Sequence, residues 1–101
     1  MRYLSQEWLL TPVVVKSVER EVDIAATLST LSMARLQAGD ASAAAAGENE
    51  ALVIFRRLED RIGEAIGLLH LGQIGLYQGD DASARSHLQQ CLAIARDIRH
   101  Q

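Results

Sequence analysis

The sequence predicts an all-α protein built of antiparallel helix hairpins, and three observations carry that expectation. The first is composition. Fifteen Ala and fourteen Leu outweigh a few Ile/Val-rich stretches too short to make a sheet, and aromatics are only 4%, so the core must be aliphatic and helix-forming. The second is an internal echo at a step of 40 residues. It lays Leu28 on Leu68, Leu31 on Leu71, Gly39-Asp40 on Gly79-Asp80, Ala44 on Ala84, and Leu52 on Leu92. The third is the Gly-Asp pair itself. Glycine accepts the left-handed conformation that closes one helix, and aspartate accepts the free amide hydrogens that open the next.

The elements follow in order. A short helix is expected near 3–10. A helix over about 13–38 comes next, and its start, Val14-Val15-Lys16-Ser17-Val18-Glu19, lies under Ile54 to Glu59 at the same step, like the tail of a truncated unit. Gly39-Asp40 closes it and opens a helix over 41–60. A helix over 62–78 is marked by Ile62, Ala65, Ile66, Leu69, Gly72, Gln73 and Leu76 at helical spacing. It is apolar nearly all round and carries Gly67, Gly72 and Gly75, each costing about 1 kcal/mol against alanine, so neighbours must cover it closely on several sides. After Gly79-Asp80, the stripe Ala84, Leu88, Cys91, Leu92, Ala95 and Ile98 makes the helix 81–99 amphipathic. The chain is thus one domain over 1–101, with 1–20 a remnant of a preceding unit, 21–60 a first unit and 61–101 a second.

Several function classes are excluded. A net charge of −3 with scattered basic residues offers no footprint for nucleic acid, and no run of 18 apolar residues suggests a membrane span. Glu7 and Pro12 break the apolar N-terminus, which therefore does not read as a signal peptide. A single cysteine, Cys91, rules out an internal disulfide and points to a reducing compartment, the cytoplasm. His87 and Cys91 stand four apart, but two ligands do not make a structural zinc site, and Cys91 reads as a buried inert thiol. No serine–histidine–acid ordering, carboxylate pair or phosphate loop is discernible, so no catalytic residue, metal or cofactor is expected. Glu48-Asn49-Glu50 and Asp80-Asp81 read as surface or capping charges.

Leu68, Leu71, Gly72, Gly79, Asp80, Ala84, Leu88 and Cys91 sit at the spacing of the tetratricopeptide (TPR) repeat, which the second unit resembles. In the first unit Leu28, Leu31, Gly39, Asp40, Ala44 and Ala51 agree, while Ser32, Arg35 and Glu48 depart. Leu68 replaces the usual tryptophan, Gly75 the aromatic, and Arg96 the closing proline. The 40-residue period, with helix B running through Phe55 to Leu58, resembles the arrays of bacterial signalling ATPases and transcriptional regulators. Ala51-Leu52-Val53-Ile54-Phe55-Arg56-Arg57-Leu58-Glu59-Asp60-Arg61-Ile62-Gly63-Glu64-Ala65 fits their recurring phrase.

The resemblance implies a short right-handed solenoid acting as a non-catalytic protein–protein interaction scaffold. Its partner would be a protein or peptide, with no role for nucleic acid or membrane. The inner surface of the A helices would present Ser29, Thr30, Met33 and Gln37, beside Ala26, and Ile66, Leu69, His70, Gln73 and Tyr77. Ser29, Met33 and His70 stand where the chaperone-binding subclass grips a carboxylate with lysine and asparagine, which argues against such a clamp. An alternative function is a peptide-sensing regulatory module that changes assembly on ligand binding. Tyr3, Leu4, Trp8, Leu9, Leu10, Val13 and Val14 leave one end apolar. Because terminal repeats need polar caps, a homodimer with exchanged or stacked N-terminal helices is expected, or cover by further domains of a larger regulator.

Overall fold

The computed structural model describes residues 12–100, which form four helices: α1 (Pro12–Gln37), α2 (Ala41–Arg57), α3 (Arg61–Gln78) and α4 (Asp81–Arg99). No strand occurs among the described residues, so the all-α expectation holds. The helix expected near 3–10, and with it Tyr3 to Leu10, lies outside them. Each helix packs on its neighbour in sequence, and α1 also reaches α3. Residues 12–20 continue into 21–37 without a turn, and α1 with 26 residues is about 39 Å long.

All three turns are built alike. In each, an amide reaches back across the last helical turn to a carbonyl: Asp40 N to Arg35 O at 2.9 Å, Asp60 N to Phe55 O at 2.9 Å and Asp80 N to Gly75 O at 2.8 Å. The preceding residue is left-handed in every case: Gly39 at φ 89°, Glu59 at φ 55° and Gly79 at φ 76°. Each aspartate then caps the next helix through its side chain, accepting from Ala43 N at 3.1 Å, Gly63 N at 2.9 Å and Ser83 N at 3.1 Å. These are Schellman closures fused to N-caps.

The middle turn corrects the helix expected to run to residue 60. That helix ends at Arg57, because Glu59 takes the glycine position and Asp60 already belongs to the next helix. A side chain in the left-handed region costs about 1 kcal/mol. Glu59→Gly is therefore expected to stabilise the protein by roughly 0.5–1 kcal/mol, raising the thermal midpoint by about 4 °C in a calorimetric melt.

The glycines of α3 divide between its two neighbours. Gly63 and Gly67 face α2, meeting the Phe55 ring and Leu52, whereas Gly72 and Gly75 face α4, meeting Leu88 and Ala84. The main core joins Ala44, Leu52, Leu68, Leu71, Ile74 and Ile94, with Cys91 partly buried against it, and a second cluster holds Ala25, Ala51 and Phe55. Contrary to the expectation of cover on several sides, α3 keeps Ile62, Ile66, Leu69, Leu76 and Tyr77 exposed.

The 40-residue step reappears in three dimensions. Arg57 Nη2 on α2 meets Glu21 Oε1 on α1 at 2.9 Å, and Arg61 Nη1 and Nη2 on α3 reach Glu64 Oε1 at 3.1 Å and Asp97 Oδ2 on α4 at 3.3 Å. Positions 21 and 57 map onto 61 and 97, so the two helix pairs carry the same bridge with its charges exchanged. Glu64 also receives Arg56 Nε at 3.0 Å, tying α2 to α3. Exposed pairs of this kind contribute only about 0–1 kcal/mol each.

Candidate functional site

The residues expected to hold a partner lie on α1 and α3, two helices that meet at Ser29 and His70. On α1, Thr30 and Gln37 are exposed and Met33 is half-buried. On α3, Ile66, Leu69 and Tyr77 are 44%, 40% and 60% exposed, beside an exposed Gln73. Positions 62, 66, 69, 73 and 77 recur at helical spacing, so the exposed apolar side chains Ile62, Ile66, Leu69 and Tyr77 fall in one stripe along α3. The Tyr77 hydroxyl lies 3.8 Å from where a Cβ on Gly39 would stand, which brings the end of that stripe to the α1–α2 turn. No residue in the set is charged except through His70.

Ser29 is the exception to the expected surface. It is 6% exposed and lies in the floor of the seam between α1 and α3, because its position on α1 faces α2. There its Oγ donates to Glu48 Oε1 at 2.8 Å and stands 3.0 Å from His70 Nδ1, which is itself 3.2 Å from Glu48 Oε1. With the serine hydrogen given to the carboxylate, its lone pairs remain open to a hydrogen on Nδ1, so one tautomer satisfies all three contacts. Three helices therefore meet at one polar node, with the His70 side chain 22% exposed above it.

Glu48 is fully buried, which corrects its reading as a surface or capping charge. The signal was present in the spacing: positions 44, 48, 51, 52 and 55 share one side of α2, and all are buried. The 40-residue step also puts Glu48 over Leu88, an apolar position. Its Oε2 and the Ser32 hydroxyl, held against Gly47, have no hydrogen-bond partner among the described residues.

The node is not arranged for nucleophilic catalysis. A serine relay needs the hydroxyl on one ring nitrogen and the acid on the other, whereas here both oxygens approach Nδ1. Among the described residues no three His, Cys, Asp or Glu side chains converge on a metal position. His87 Nδ1 instead lies 3.4 Å from Ser83 Oγ. Nor is any described helix long and apolar enough to cross a membrane. The chain matches no protein-family model, no curated protein and no solved structure.

Proposed function

We propose that the chain is a non-catalytic protein–protein interaction scaffold of TPR-like kind. In this reading α1/α2 and α3/α4 are two antiparallel hairpins stacked as a short right-handed solenoid, and an extended peptide or partner helix lies across the α1/α3 seam. The observation that carries it is the exposed stripe Ile66, Leu69 and Tyr77, set beside Thr30, Met33 and Gln37 with no fixed charge along it. Large apolar side chains aligned in one exposed row mark an interaction surface more than isolated ones do. Support for the repeat reading comes from the exchanged bridges, the left-handed glycines 39 and 79, and the caps at Asp40 and Asp80.

The test is selection of peptides from a displayed library on the intact protein, followed by titration against variants. Leu69→Asp and Tyr77→Asp are expected to weaken binding at least tenfold, about 1.4 kcal/mol each, with unchanged melting because both side chains are exposed. Val53→Asp, on the exposed side of α2, is the control and should have no effect. Binding that ignores both seam variants would overturn the proposal.

A further inference from the structure

Two grooves lie away from the α1/α3 seam, one on the outer side of α3 and α4 and one on α1. The first, about 500 Å³, is lined by Leu76, Asp81, Ala84, Arg85, Leu88 and Leu92, among others. The second, about 310 Å³, is lined by Arg20, Asp23, Ile24, Thr27 and Leu28.

The 40-residue step gives each groove a counterpart inside the chain. Subtracting 40 from the first yields Leu36, Ala41, Ala44, Ala45, Glu48 and Leu52, the surface that receives α3. There Leu52 meets Gly67 and Glu48 meets His70, while Leu36, Ala41 and Ala45 pack on the core containing Leu68 and Leu71. Adding 40 to the second yields Asp60, Gly63, Glu64, Gly67 and Leu68, the side of α3 that α2 covers. The two grooves are thus the two halves of an interface that the chain already makes once, between α2 and α3. We infer that a second copy of this chain completes it, seating its α1 in the α3/α4 groove of the first, head to tail.

Size fits this occupant, and charge fits it at Asp23, while Arg20 of the α1 groove is a like charge near Arg99. Within the chain, Arg56 of α2 pairs with Glu64 of α3. Translated by one unit, the last turn of α4, with Arg96 and Arg99, meets α1 around Ile24, where Asp23 is adjacent. None of Asp23, Arg96 and Arg99 has an ion-pair partner among the described residues. Where Phe55 presses on Gly63, the translated pair is Ala95 and Asp23, so the large and small members change sides. Thr27 replaces Gly67 and holds the incoming helix slightly further from Leu92. An interface whose two halves differ does not close on itself, so association continues beyond the dimer as concentration rises.

Sedimentation velocity of the intact protein over roughly 1–300 µM tests the assignment. Ile24→Arg, which would face Arg96 where Glu64 faces Arg56, disables the α1 groove and Leu92→Glu the α3/α4 groove; both side chains are about half exposed, at 48% and 49%, so neither variant should alter melting. The wild type is expected to form dimers and larger species, and each variant alone to remain monomeric. An equimolar mixture of the two variants is expected to form a dimer and stop, since one intact half survives on each. A monomeric wild type, a variant that still dimerises by itself, or a mixture that fails to pair would each overturn the inference. Neither substitution touches the α1/α3 seam, so peptide binding there remains an independent readout.

Discussion

Gly75→Leu is expected to lower the thermal midpoint by roughly 15 °C or more, the largest effect of any single substitution considered. A Cβ at Gly75 would stand 3.1 Å from Ala84 Cβ, 3.1 Å from its backbone nitrogen and 3.2 Å from its Cα. Two of those three atoms are main chain inside α4, which cannot retreat without separating the helices. Overpacking of a close interface costs about 1–3 kcal/mol or more, and the fixed backbone puts this case at about 3. At roughly 4–8 °C per kcal/mol for a domain of this size, the loss is easily read by circular dichroism. Gly72 offers a contrast, since its added Cβ would meet the tip of Leu88, which can rotate away. Gly72→Ala should therefore be milder than Gly75→Ala. Equal, small effects at both positions would show that α3 and α4 do not touch backbone to backbone.

Glu48→Ala is the second large effect, with an expected cost of about 3 kcal/mol. The substitution leaves a cavity among α1, α2 and α3 and removes the carboxylate acceptor of the Ser29 hydroxyl, which is left only His70 Nδ1 in its other tautomer. An apolar replacement of similar volume behaves differently. Buried polar clusters are often matched in stability by hydrophobic groups that fill the same space. The double variant Glu48→Leu with Ser29→Ala is accordingly expected to melt within about 1 kcal/mol of the wild type, leaving His70 to solvent. Parallel chemical-denaturation curves distinguish the cases. A mild Glu48→Ala with a severe double variant would mean that the node is needed as a polar unit.

How much of this was legible beforehand depended on whether one residue type carried the signal. Gly39-Asp40 and Gly79-Asp80 announced their turns, because glycine at the left-handed position is readable from one letter. Leu58-Glu59-Asp60 makes the same turn from residues that otherwise favour a helix, so the end of α2 was placed at 60 and not 57. Of the surface that the resemblance implies, Ile66, Leu69, Gln73 and Tyr77 on α3 and Thr30 and Gln37 on α1 are exposed. The node was not legible. The resemblance puts Ser29 and His70 on one surface, while Glu48, beside exposed Asn49 and Glu50, reads from its sequence neighbours as a surface charge. Charge type suggested solvent, and burial was decided by the side of α2 on which residue 48 falls.

The bridges Glu21–Arg57 and Arg61–Asp97 have a consequence for how the chain finds its own arrangement. Units of like build invite mistakes, because a helix from one can settle against the wrong mate from the other. Were α1 to adopt α4, Glu21 would confront Asp97; were α3 to adopt α2 in the same manner, Arg61 would confront Arg57. Reversing polarity from one unit to the next makes both errors repulsive and leaves only the correct couples attractive. The bias against interchanging the two halves is about 0–1 kcal/mol per bridge.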